Sequence, residues 1–97
     1  MSAKGYLSVV LLSVGAVGFL YWSRLSAIKG ATITSWWRTP YHNTQVGGVS
    51  TSLHLIGWAW DLAPGGILMQ AEVAKTGLPF LKVIDEGDHL HISLSPF

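Results

Sequence analysis

The apolar and polar positions fall into two unlike stretches. From Gly5 to Ser23 no residue carries a charge, and the centre reads YLSVVLLSVGAVGFLYW. A helix over this run is apolar on every side and reaches roughly 28 Å, close to the ~30 Å hydrocarbon core of a bilayer. Tyr6, Tyr21 and Trp22 stand at its two ends, where amphipathic rings prefer the headgroup level. Lys4, Arg24 and Lys29 flank it, with stems long enough to carry their charges into water. The pattern predicts a single N-terminal transmembrane helix, contacting lipid through residues 5–23.

Beyond residue 30 the period changes. Ala31–Trp37 is β-branched and aromatic, and Gly57–Leu62 (GWAWDL) alternates, so both predict strands. Arg38–Ser52 is rich in Pro, Asn, Gly, Ser and Thr and predicts a loop, and Ala63–Gly66 a turn. Ile67–Thr76 predicts a helix stopped by Gly77, with Pro79 just after. Phe80–Ile84 and His89–Leu94, joined at Asp85–Asp88, predict a hairpin. The expected organisation is an anchor over 1–24, a connector over 25–30 and a domain over 31–97. The domain is expected to be α+β, a small antiparallel sheet with one helix.

Composition narrows the function. Of 97 residues, 49% are hydrophobic and 11% charged, and the mean hydropathy is +0.41. This excludes a disordered chain. A net charge of +1 argues against nucleic acid as a partner, because such proteins present strongly basic faces. Residues 1–30 hold Lys4, Arg24 and Lys29 and no acid, whereas all five acids lie beyond residue 60. No cysteine is present, so disulfide staples and thiol chemistry are excluded. A domain of this size lacks a large core, and a metal is the staple to look for.

The pleat arranges the candidate ligands. Alternate residues share a face, so Gly57, Ala59 and Asp61 oppose Trp58, Trp60 and Leu62. His89, His91 and Ser93 likewise oppose Leu90, Ile92 and Leu94. If the two strands lie close together, Asp61 and His91 meet across the sheet, and His54 at the mouth of the preceding loop completes a trio. Two imidazoles and a carboxylate suit Zn²⁺ and leave a fourth position open for water. A further carboxylate is then required as general base. Asp88, three residues before His91, is placed to serve; Glu86 and His89 repeat the same spacing as a rival register. His42 has no acidic neighbour and is read as a loop residue.

The stretch from Ser35 to Leu62 carries S-x-x-R, then Asn43, then Gly47-Gly48, then S-x-H-x-x-G-x-A-x-D, with D-x-x-H near the C-terminus. In this order the elements resemble the zinc D-alanyl-D-alanine carboxypeptidase family, peptidoglycan peptidases with a Hedgehog-like fold. The resemblance covers about residues 31–94. It implies that His54, Asp61 and His91 bind zinc, that Asp88 is the general base, and that Arg38 binds a substrate carbonyl or carboxylate oxygen. It further implies that Ser52, His89, Ser35 and Asn43 support the metal or bind substrate. Gly47 and Gly48 would turn the chain back toward the metal.

The expected activity is cleavage of a peptide bond in peptidoglycan stem peptides, at the periplasmic side of a bacterial inner membrane or from the internal membrane of a virion. Family members are frequent in bacteriophages, and a short anchored chain fits such a particle, with virion or membrane proteins as neighbours. The alternative is an inactive, metal-stabilised structural module. One departure stands out: members usually carry a soluble helix before the S-x-x-R strand, a place taken here by the apolar segment. Trp36, Trp37, Trp58 and Trp60 are then expected to cover the exposed core or to meet a partner.

Overall fold

The structure, a computed structural model, describes residues 3–47 and 53–95. It is α+β: helix α1 (Ala3–Ser26), strand β1 (Thr32–Ser35), helix α2 (Pro40–Gln45), a 3-10 turn (Leu53–Ile56), strand β2 (Ala59–Ala63), helix α3 (Ile67–Lys75) and strands β3 (Leu81–Asp85) and β4 (Leu90–Leu94). The four strands form one antiparallel sheet in the order β1-β2-β4-β3.

The β2–β4 pairing follows the alternation of the two sequences. Trp60 pairs with Ile92 and Leu62 with Leu90, while Ala59 pairs with Ser93 and Asp61 with His91. Trp60, Leu62, Leu90 and Ile92 are fully buried and form one face with Leu94. Burying such side chains stabilises by roughly 1.5–3 kcal/mol each. Met69 and Val73, four residues apart on α3, complete the core from above. After α3 the chain turns at Gly77 in the left-handed region, φ +71, a position that favours glycine.

Part of the apolar segment belongs to the domain. Among the described residues no helix is long and apolar enough to cross a membrane. The second half of α1 instead packs on the sheet. Leu25, placed by its sequence context in a connector, is fully buried in the core, and Val17, Tyr21 and Trp22 pack against the same cluster. The Tyr21 ring stacks on Trp60 with centroids 5.6 Å apart, and Trp22 on Trp36 at 5.5 Å. The Trp58 indole donates to the Val14 carbonyl at 2.9 Å. Gly18 lets the helix approach the segment before β2, since a methyl there would collide with the Gly57 carbonyl. Residues 14–25 thus supply the packing helix before β1, and Trp36, Trp58 and Trp60 lie against it rather than substituting for it. An all-round apolar helix satisfies a protein core as well as it satisfies lipid.

Two further elements lie within the expected loop. Helix α2 starts where Thr39 Oγ1 accepts from the His42 amide at 3.2 Å and proline occupies the first helical position. His42 is therefore an exposed helical residue. Strand β1 is shorter than expected, and its register shifts between Ile33 and Ser35. The Trp36 indole then leaves the ladder and donates to the Gly57 carbonyl at 2.8 Å. Gly57 lies outside β2 with φ +77.

Candidate metal centre

The polar face of the β2–β4 pair carries the site. Asp61 and His91 are register partners, and His91 Nδ1 lies 3.0 Å from Asp61 Oδ1. His54 arrives from the 3-10 turn, 1% exposed, with Nε2 3.6 Å from Asp61 Oδ2. Its other nitrogen, Nδ1, is 2.6 Å from the Trp36 carbonyl. That contact orients the ring, as the partners of metal-binding imidazoles do, and turns Nε2 toward Asp61.

Ligand atoms of His54, Asp61 and His91 all lie within 4.8 Å of one another. Zinc bonds of about 2.0–2.2 Å set tetrahedral ligand atoms roughly 3.4 Å apart, so small side-chain adjustments suffice to gather these three on one ion. Two imidazoles and a carboxylate match the donor set of a zinc site that keeps one position open. The residues present therefore fit the metal.

Arg38 sits on the β1 side of this trio, 13% exposed. Its Nη2 donates to Asp61 Oδ2 at 3.2 Å, its Nε to Ser35 Oγ at 3.1 Å, and its Nη1 to Asn43 Oδ1 at 3.3 Å. Ser35 pairs with Asp61 across β1 and β2, and Asn43 is buried on α2, so two elements aim the guanidinium. Burial alone would raise the Asp61 carboxyl. The hydrogen bonds and charges of His54 and His91 outweigh it and hold the group well below the usual carboxylate range.

The β3–β4 turn closes the other side. His89 Nε2 lies 3.9 Å from Asp61 Oδ1 and 3.3 Å from Glu86 Oε2, and its Nδ1 lies 2.6 Å from Asp88 Oδ1. The Asp88 hydrogen bond raises the imidazole above its ordinary value. Burial opposes this, and the charges of Asp61, Asp88 and Glu86 reinforce it. Asp88 itself is 90% exposed, and its bond to His89 lowers its carboxyl.

These residues surround a cleft of about 480 Å³, lined by Arg38, His54, Asp61, Glu86, His89 and His91 with Val46, Gly47, Leu53 and Ser93. The carboxylate on its wall beside Asp61 is Glu86, whereas Asp88 reaches the site through His89. Ser52 and Gly48 lie outside the described residues. The Trp36 carbonyl escaped sequence reasoning, since any residue supplies one. Val46 and Leu53 gave no signal beyond being apolar within a polar loop.

A small α+β domain with two imidazoles and a carboxylate on an open cleft has the organisation of a metallohydrolase. The sequence profile described as Peptidase M15 matches residues 24–92, most of the chain, and the protein belongs to that family. The match begins in the last turn of α1, which carries the buried Leu25. Membership supports a metallopeptidase-like function, and the family is zinc-dependent. Comparison with curated proteins and with solved structures returns no significant match.

Proposed function

We propose that the protein is a zinc peptidase that cleaves peptide bonds in the stem peptides of bacterial peptidoglycan, as a carboxypeptidase or an endopeptidase. The observation that supports it most is the convergence of His54, Asp61 and His91 beside the Arg38 guanidinium in one cleft. His54 through Nε2, Asp61 through its carboxylate and His91 through Nδ1 would hold the ion. Bound zinc supplies Lewis acidity, polarising a carbonyl and lowering the pKa of water.

The chain's own residues supply the rest. Arg38, held by Ser35 and Asn43, offers a planar fork to the oxygen of a scissile carbonyl or a terminal carboxylate. The proton of the attacking water passes to His89 Nε2 while Asp88, 2.6 Å from Nδ1, steadies the charge on that imidazole, and the same pair returns the proton to the leaving amine. Such a substrate locates the protein outside the cytoplasmic membrane, or in a virion that meets the wall there.

A metal-stabilised module without turnover is the second reading. It draws on Arg38, whose Nε, Nη1 and Nη2 are all engaged within the protein. Mass spectrometry of muropeptides after incubation with the zinc-loaded protein separates the two. New peptide termini that disappear in Asp88→Ala, with zinc retained, support the peptidase. Bound zinc with unchanged muropeptides overturns it.

A further inference from the structure

The cleft has opposite charges at its two ends. Arg38 follows β1 at one side of the sheet, and Glu86 lies in the β3–β4 turn at the other. A continuous line of contacts joins them. Arg38 Nη2 is 3.2 Å from Asp61 Oδ2, Asp61 Oδ1 is 3.9 Å from His89 Nε2, and that nitrogen is 3.3 Å from Glu86 Oε2. Asp61 of the candidate metal trio is a link in this line, and His54 and His91 both contact it.

Glu86 is more than a partner of His89. The shorter contact to that imidazole, 2.6 Å, comes from Asp88 on its opposite nitrogen. The Glu86 side chain is 47% exposed and lines the cleft. A carboxylate offers about four acceptor sites, so room remains for a charged donor arriving from the cleft. No lysine or arginine stands on this side: Arg38 is the cation of the cleft wall among the described residues.

On the peptidase reading, we infer that Glu86 is a specificity-determining residue that selects peptides carrying a protonated amine upstream of the bond cut. The peptide lies with its carboxylate end toward Arg38 and its amine toward Glu86. A diamino acid one or two positions before the scissile bond meets this requirement, and the same residue with its amine acylated does not. Discrimination of about fivefold to tenfold in Kd is expected, the range for a charge-assisted contact on a half-exposed group.

The test uses the zinc-loaded full chain and two peptides, Nα-acetyl-L-Lys-D-Ala-D-Ala and its Nα,Nε-diacetyl form. An NMR titration reports binding and cleavage separately. The free-amine peptide should bind about fivefold to tenfold more tightly, and Glu86→Gln should equalise the two. This substitution sits in an exposed turn whose Glu86 amide-to-His89 carbonyl bond is main-chain, so the fold is kept. Equal binding in the unaltered protein, a preference that survives Glu86→Gln, or no binding of either peptide overturns the inference. Preference without cleavage sustains it and removes the peptidase reading. Cleavage without preference does the reverse.

Discussion

The two faces of the β2–β4 pair are built from alternate residues of the same two strands, yet they answer to different physics. On one face Trp60, Leu62, Leu90 and Ile92 vanish beneath α1 and α3, and what counts there is filled volume. On the other, Asp61 and His91 remain partly open beside Ala59 and Ser93, and what counts is where individual atoms point. The apolar face recruits the start of the chain. The polar face recruits the loop after β1 and the β3–β4 turn. Substitutions on the two faces should therefore separate metal binding from stability.

The largest effect is expected on the polar face. His54→Ala should weaken zinc by more than about a hundredfold and abolish peptide hydrolysis, since even the outer partners of metal ligands are worth tenfold to a hundredfold. Chelator competition measures this, and an affinity within tenfold of the unaltered protein would move the metal centre elsewhere. On the apolar face, Leu25→Ala should cost about 2–5 kcal/mol in urea denaturation, because the fully buried side chain leaves a cavity. A helix independent of the domain would give a change below about 0.5 kcal/mol.

Trp36 joins the two regions: its indole binds the Gly57 carbonyl and stacks on Trp22, and its own carbonyl orients His54. Trp36→Phe removes the indole bond and keeps the ring face and the carbonyl. It should cost about 1 kcal/mol and leave zinc affinity within a fewfold. A large loss of zinc would show that the faces are not separable.

The smallest effect lies at the hairpin. Asp85 accepts from the Gly87 amide and from Gln70, and the Gly87 bond leads in holding its carboxyl below its ordinary value. A lowered folded value contributes stability above the ordinary carboxylate range, lost as pH falls through the folded value. Asp85→Asn should melt slightly below the unaltered protein at neutral pH, and the gap should close in acid. A gap that persists at low pH would assign the effect to packing.

Much of this architecture is legible in the residues themselves. The period-two pattern of AWDLA and LHISL places Asp61 and His91 on one face and their apolar neighbours on the other, and the pairing sets these two candidate ligands side by side. Helix α3 ends where Gly77 stops it. The packing of residues 17–25 on the sheet was not legible from residues 5–23 for a physical reason: a helix without charged residues names no solvent, and the indoles that meet its second half lie far along the chain. Helix α2 carried a signal, threonine before proline, that the surrounding turn-forming residues masked. The split between Glu86 and Asp88 lies in a turn, where pleat periodicity no longer tells inside from outside.

The pairing of Asp61 with His91 makes the site an all-or-nothing property of strand alignment. Sliding β4 by one residue along β2 would point His91 into the oil and lift Leu90 and Ile92 into water, so no near-miss arrangement keeps half of the donors. The same misalignment that would empty the interior of its hydrocarbon would also scatter the ligands, and a chain that has found its interior has found its chemistry in the same step.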